Sequence, residues 1–305
     1  MIIAWLVATT AGTLALTAAA AVLTAGLDPV CPARGAALLT RPAGDLARLM
    51  RRRTRTTPAP DRLLWWVGAA GPLAIALLMA AVVPLAGHRP AVASPVGVVW
   101  FNALDVALWA ALWLAGWGPN SVFPLLGGYR FLAQALAYEL PLMFALTAPA
   151  AAAGSLDLVR IVDAQHGLWF VVTMPVAFLV FCAAVLGFAF WGPFGYPVGA
   201  DAAGGVLAEQ SGVHRLLLHT GQLALLAMGA AAATALFLGG GAGPLLPTWL
   251  WSLVKTLAVL AGLVAVRGRT PVLRADRLVP LAFLGVLPLM LVQLLVVSVI
   301  VVVRG

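Results

Sequence analysis

The sequence predicts an all-α polytopic membrane protein with about eight transmembrane helices and one short amphipathic helix at the membrane surface. Three observations carry that expectation. Of the 305 residues, 63% are apolar and only 9% are charged. The apolar residues form uninterrupted runs long enough to cross the roughly 30 Å hydrocarbon core of a bilayer. The basic residues gather between alternate runs rather than inside them. No polar stretch is long enough for a soluble domain, so residues 1–305 read as a single membrane domain.

The eight spans fall near 2–25, 63–86, 97–116, 125–150, 168–190, 213–238, 248–266 and 278–303. The first has no basic residue ahead of it, lacks a clear small-residue cleavage site and exceeds 20 residues, so it reads as a retained span rather than a signal peptide. Pro141, Pro175 and Pro288 are expected to bend the spans that contain them. Of the 18 Lys and Arg residues, fourteen lie in or at the edge of the connections after spans one, three, five and seven. The positive-inside rule puts those connections in the cytoplasm and both termini on the other side, as a multi-pass protein of the cell's inner (plasma) membrane. The net charge of +8 then reflects loops beside anionic lipid. Nucleic-acid binding is excluded, because no soluble basic domain exists to hold a duplex.

The connection from 26 to 62 is too long for a simple turn. Leu46, Leu49 and Met50 recur at helical spacing while Arg48, Arg51, Arg52 and Arg53 point elsewhere, which predicts a short helix lying in the interface plane. Pro42 and Asp45 suit its N-terminal turn. Two roles stay open for it: a surface anchor with snorkelling arginines, or the rim of an entrance for a lipid-like substrate.

Span four carries the most chemistry. Arg130, Gln134 and Tyr138 repeat every four residues and form one polar stripe, with Glu139 beside it near mid-span. An ionised carboxylate at that depth costs about 2.5 kcal/mol or more unless it is paired, solvated or protonated. Pro141 leaves the carbonyl of Ala137 without its usual helical partner. Glu139 therefore serves either as a protonated structural group bonded to a neighbouring helix or as a group that moves protons or charge. Asp105 in span three and Lys255 in span seven are the other ionisable groups at depth, and their pairing is open. Cys31 and Cys182 are too few and too far apart for a metal site, and redox or nucleotide-binding motifs such as CxxC and GxGxxG are missing.

The run from Gly116 to Leu142, GWGPNSVFPLLGGYRFLAQALAYELPL, resembles the signature GWxSNxKYALLGxLRxxAQxxSYE of the H subunit of the bacterial proton-translocating NADH:quinone oxidoreductase, respiratory complex I. Arg130, Gln134, Tyr138 and Glu139 fall on that family's own Arg, Gln, Tyr and Glu. Lys255 and Thr256 match its KT pair. RGRTPVLRADRL, from Arg267 to Leu278, is similar to RxxxPRxRxDQL and keeps Arg267, Pro271, Arg274 and Asp276. RPAGDLARL from Arg41 stands where the family has QPLADGLKL, and PAPDRLLW from Pro58 where it has PxxADRxLF.

The departures concentrate in one loop, Trp191 to Gly212, which contains only two carboxylates, Asp201 and Glu209. The family's loop resembles ETNRxPFDLPEAESE. Pro193, Phe194 and Pro197 keep its frame here, but its first Glu falls on Phe188, its Arg on Trp191, its Asp on Gly195, and three later Glu on Val198, Ala200 and Ala202. EYSG survives as Glu209 to Gly212, and a later Glu falls on Gln222. The family's ERK and GPNRxGP elements near the end of span one are missing, with Arg34 and Gly35 as a remnant.

The resemblance implies a membrane-arm component that is not catalytic alone. Arg34, Arg41, Asp45, Asp61 and Arg62 would belong to a quinone chamber. Arg130, Gln134, Tyr138, Glu139, Glu209 and Lys255 would form the proton-coupling link, and Arg267, Arg274 and Asp276 would dock a peripheral arm. Quinone would be the substrate, iron–sulfur clusters would reside in partner subunits, and this chain would bind no cofactor or metal of its own. Phe, Val and Ala neither take up protons nor hold water through polar contacts, so the family's acidic relay is expected to be broken or rerouted. A non-catalytic membrane scaffold and an independent ion or solute carrier stay open as alternatives.

Overall fold

The structure is a computed structural model that describes residues 2–85, 90–199 and 204–304, with the side chains of 2–5 and 304 outside that description. Arg89, Ala200, Asp201 and Ala202 lie outside the described residues. Every regular element among the described residues is helical. In chain order they are α1 (Ile2–Gly26), α2 (Ala37–Arg51), α3 (Arg62–Val82), α4 (Gly97–Trp117), α5 (Val122–Ala153), α6 (Leu158–Asp163), α7 (Phe170–Thr173), α8 (Pro175–Phe188), α9 (Gly212–Phe237), α10 (Thr248–Val266), α11 (Ala275–Pro280) and α12 (Leu287–Arg304).

Among the described residues, seven helical stretches are long and apolar enough to cross a membrane. The fifth predicted span, 168–190, has another form. It divides at Met174 into the single turn α7 and the 14-residue α8, because Pro175 has no amide hydrogen and sits where a helix can begin but not continue. At 1.5 Å per residue α8 rises about 21 Å, short of the core thickness, and it packs between α5, α9 and α12 rather than standing alone.

The connections show that α8 still carries the chain from one end of the bundle to the other. At one end, the Asp61 amide donates to the carbonyl of Gly118 (2.9 Å), the Arg55 amide to Ser211 Oγ (2.7 Å) and the Leu273 amide to Pro193 (2.7 Å). This joins the connections after α1, α4, α8 and α10. At the other end, the Val98 amide bonds Leu156 (3.1 Å), Ser252 Oγ bonds Leu85 (3.2 Å), and Gln165 Nε2 bonds the carbonyls of Ala235 (3.0 Å) and Leu236 (3.2 Å). Eight segments thus alternate in direction, seven of spanning length and one short. The arginine-rich connections share the first end.

The core lies between α3, α4, α5, α8 and α9. Small residues allow its close approaches: a Cβ at Gly68 would sit 2.2 Å from the backbone nitrogen of Ala115, so α3 and α4 touch only because that position is glycine. α9 is the most enclosed of the long helices, and its Ala230–Ala233 stretch is buried.

Two local expectations change. α2 starts at Ala37, so Pro42 and Asp45 lie within it rather than in its first turn. The helix-forming run Ala36 to Leu39, entered from Gly35 at φ +56°, starts it earlier. Asp45 instead forms an ion pair with Arg48 (2.7 Å, i to i+3). In the last span a π turn, Leu281–Val286, precedes Pro288. The hydrogen-bond ladder shifts register where a proline supplies no donor.

Candidate functional site

A cavity of about 590 Å³ opens at the arginine-rich end, between α2, the loop after α8, the first turns of α9 and the exit of α10. Arg48 lines it from α2 and Arg52 from just past that helix, Arg215, His219 and Gln222 from α9, and Arg267 from the end of α10. Asp45 is the carboxylate in the lining, and Arg48 already engages it. The rest of the lining includes the apolar residues Phe190, Trp191, Val198, Leu207 and Leu218. Arg215, His219 and Gln222 follow one another at helical spacing, so the cavity reaches about 10 Å along α9.

This part of the lining is tied in place by a backbone carbonyl and a ring contact. Gln222 Nε2 donates to the carbonyl of Phe190 (3.0 Å). The Arg267 guanidinium lies over the Trp191 ring, 4.7 Å from its centroid, a contact worth about 0.5–2 kcal/mol. Two of the positions where the sequence resemblance leads one to expect carboxylates, Gly195 and Val198, line the cavity directly. A third, Phe188, is fully buried and packs edge-on against Phe101 with centroids 6.2 Å apart.

Of the chamber residues expected from the sequence, Asp45 lines the cavity and the others lie outside its lining. Arg41 Nη1 donates to the carbonyl of Cys31. Asp61 caps α3 by accepting from the Leu64 amide (3.1 Å). Arg34 and Arg62 are exposed. Arg48, Arg52, Arg215 and His219 complete the cavity. For the two on α9, the helical spacing of Arg215, His219 and Gln222 is the sequence signal that points to them.

The predicted stripe on α5 exists, and each member fastens a different neighbour. Arg130 Nη1 donates to the carbonyl of Gly204 and its guanidinium lies 4.5 Å over the Tyr196 ring, which holds the loop to α5. Gln134 Nε2 donates to Gly187 (3.0 Å) on α8. Tyr138 donates to Asp105 Oδ1 (3.2 Å), and Glu139 Oε1 accepts from Asn102 Nδ2 (3.0 Å), both on α4. A Cβ at Gly187 would meet the Tyr138 ring at 2.7 Å, so glycine there lets the phenol reach Asp105.

The surviving Glu209-Gln210-Ser211 element is an anchor. Glu209 accepts from Ser121 Oγ (3.2 Å). Gln210 accepts from Trp65 Nε1 (2.8 Å) and donates to Ala115 (3.2 Å). Ser211 accepts from the Arg55 amide. His214 follows, stacked on Trp65 at 4.8 Å. Arg274 and Asp276 are exposed around the start of α11. Lys255 lies apart from all of these. Its ammonium donates to the carbonyls of Leu238 (2.6 Å), Gly240 (3.2 Å) and Ala242 (2.6 Å) at the end of α9, with the Trp169 ring 4.1 Å away. The two acids of α4 and α5 are therefore each bonded across the contact between those helices, by Tyr138 and Asn102, and Lys255 is left to the backbone.

Comparison with known proteins agrees along nearly the whole chain. Residues 2–298 match the family model described as NADH dehydrogenase. A relative from Geobacter sulfurreducens, the NADH-quinone oxidoreductase H subunit numbered 2, is 34% identical over 268 residues, covering 85% of this chain and 82% of the relative. The protein of the same name from Syntrophobacter fumaroxidans is also 34% identical, over 85% and 81%. The H subunit from Dehalococcoides mccartyi is 29% identical, over 85% and 73%.

Proposed function

The chain belongs to the NADH dehydrogenase family of membrane subunits, and from that premise we propose that it is the component of a complex I-like oxidoreductase that shapes a quinone chamber in the membrane and docks the electron-delivering arm. The observation that carries this reading is the cavity. A quinone presents two carbonyl acceptors on a flat apolar ring, and the cavity combines Arg, His and Gln donors with aromatic and aliphatic side chains. The donors bind and orient the headgroup, and the apolar side chains exclude water from its ring. Beside it, α2 exposes Leu46 and Met50 together with its arginines, the composition of a helix lying at a lipid surface. That arrangement gives a lipid-soluble substrate a route in from the bilayer.

Electrons come from iron–sulfur clusters in partner subunits. The exposed Arg269, Arg274, Asp276 and Arg277 beside the cavity mouth supply a polar face for that arm. The arginine-rich end faces the cytoplasm of the inner membrane, and both termini face away. Proton coupling is weak in this chain, because Phe188 and Val198 replace titratable groups between the cavity and the carboxyls of α4 and α5. Arg130 and Glu209 act by holding the loop, Gln134 and Tyr138 by joining α5 to α8 and α4, and Lys255 by closing the far end of α9.

The lost carboxylates also favour a second reading, a non-catalytic scaffold of the same complex. Purification of the tagged chain in mild detergent, with identification of its companions and assay of quinone reduction, separates the two. A cluster-bearing partner together with quinone reduction that falls on Arg267→Ala supports the chamber. Reduction indifferent to Arg267→Ala and Arg215→Ala leaves the scaffold. A chain that purifies alone overturns both.

A further inference from the structure

The cavity at the arginine-rich end carries more charge than a neutral headgroup needs. Its lining holds four guanidiniums, Arg48, Arg52, Arg215 and Arg267, and one carboxylate, Asp45, which Arg48 already engages. Among the described residues, no side-chain hydrogen bond or ion pair holds Arg52 or Arg215. Arg267 lies over the Trp191 ring, a contact that uses none of its N–H donors. Asp28, whose charge also reaches Arg267, is tied to the Val30 and Cys31 amides of its own turn. Like charges gathered around one cavity repel each other, and an anion placed among them relieves that repulsion while accepting from their donors. The planar fork of a guanidinium matches the oxygens of a phosphate. The cavity also adjoins lipid: Leu49, Leu207 and Leu218 belong to its lining, and α2 beside it exposes Leu39, Leu46 and Met50. Basic pockets between membrane helices on the cytoplasmic side suit anionic headgroups.

We propose that this cavity binds the phosphate of an anionic phospholipid, gripped by Arg52, Arg215 and Arg267, with the glycerol and acyl chains leaving past α2 into the bilayer. Arg52 follows α2, Arg215 lies in the first turn of α9 and Arg267 ends α10, so a single phosphate ties together three connections. His219, one turn further along α9, adds a donor for headgroup hydroxyls. A zwitterionic lipid brings its own cation among the same arginines and is disfavoured by like charge, so the site selects by net headgroup charge. It needs neither a quinone nor a partner subunit.

Native mass spectrometry of the purified full chain in detergent, titrated with phosphatidylglycerol, phosphatidylcholine or inorganic phosphate, tests this without a redox assay. The native chain should retain phosphatidylglycerol at concentrations where phosphatidylcholine and inorganic phosphate leave it bare. Arg52→Gln and Arg215→Gln should each weaken that retention about tenfold, the loss expected of one hydrogen bond to a charged group. Arg51→Gln and Arg53→Gln, which flank Arg52 in the chain but lie outside the lining, should leave it unchanged. Equal retention of phosphatidylcholine overturns the proposal. So does an equal loss in the flanking variants, which would make the attraction a diffuse property of the surface. Inorganic phosphate held as well as the lipid overturns the lipid as its source. Arg52 is exposed, so Arg52→Gln should fold even where Arg215→Gln does not, and undiminished retention in Arg52→Gln alone is then decisive against the site. Loss of quinone reduction in the assembled complex would leave these results untouched, so the lipid site and the quinone chamber fail separately.

Discussion

At one end of the bundle, Arg48, Arg52, Arg215 and Arg267 surround an open cavity whose lining holds one carboxylate. At the other, the buried cation Lys255 is closed in by three carbonyls and an indole. The second end is a finished structure: the ammonium has three donors, and the carbonyls of Leu238, Gly240 and Ala242 in the turn after α9 take all three. The loop there is held further by Gln165, whose Oε1 accepts from the Gly239 amide (2.8 Å). The first end keeps donors in reserve. Cations with spare donors around an apolar-walled space are arranged for a ligand, whereas a cation saturated by backbone is arranged for stability.

The largest break in that comparison should come from Lys255→Met. It removes charge-assisted hydrogen bonds to three carbonyls, each worth about 1.5–3 kcal/mol, and should cost on the order of 3 kcal/mol or more. Thermal unfolding in detergent should register this as a clear fall in Tm, while ligand binding at the other end is retained in the folded fraction. An unchanged Tm would mean that the carbonyls find water or another donor. Gly187→Ala should come next, at about 1–3 kcal/mol, the usual cost of overpacking. Its Cβ displaces the Tyr138 ring; wild-type stability together with an unmoved Tyr138 environment in ultraviolet difference spectra would contradict the packing described.

Arg267→Ala should cost only about 1 kcal/mol in stability through the lost contact with Trp191. Its main effect should appear as a raised KM for quinone in the assembled complex, sharpening the contrast with Lys255. Equal effects on stability at the two ends would erase that contrast.

Asp28→Asn should have the smallest effect. The Asp28 carboxyl accepts from the Cys31 and Val30 amides in the turn leaving α1, and these bonds hold it below its ordinary 3.8. A lowered folded value contributes stability above the unfolded value, and that contribution disappears as pH falls through the folded one. Unfolding of the native and variant chains should therefore differ slightly at neutral pH and coincide in strong acid.

The membrane class and the α5 stripe are legible in the sequence because both depend on local pattern. Apolar runs of spanning length have few alternatives, and residues four apart must share a helix face. The family is legible from motifs along most of the chain. Of the cavity lining, Asp45 alone is among the chamber residues expected from the sequence, because Arg48, Arg52, Arg215, His219 and Arg267 come from three separate segments that only meet when the connections after α1, α8 and α10 pack together. α8 is shorter than its apolar run because hydropathy does not register where proline prevents a helix from continuing.

By itself the sequence determined that this chain lives in a bilayer as alternating apolar helices and that its positive charge gathers at one end. Tertiary structure decided what the buried ionisable groups meet. Asp105, Glu139 and Lys255 all lie in apolar helices where any pairing was open. Only the packing of α4 on α5 gave each carboxyl its donor from the facing helix, and only the fold of the 238–242 turn captured the lysine. The reason is physical: hydrophobic burial is set by composition along a segment, whereas a hydrogen bond needs a donor and an acceptor about 3 Å apart, a condition set between segments.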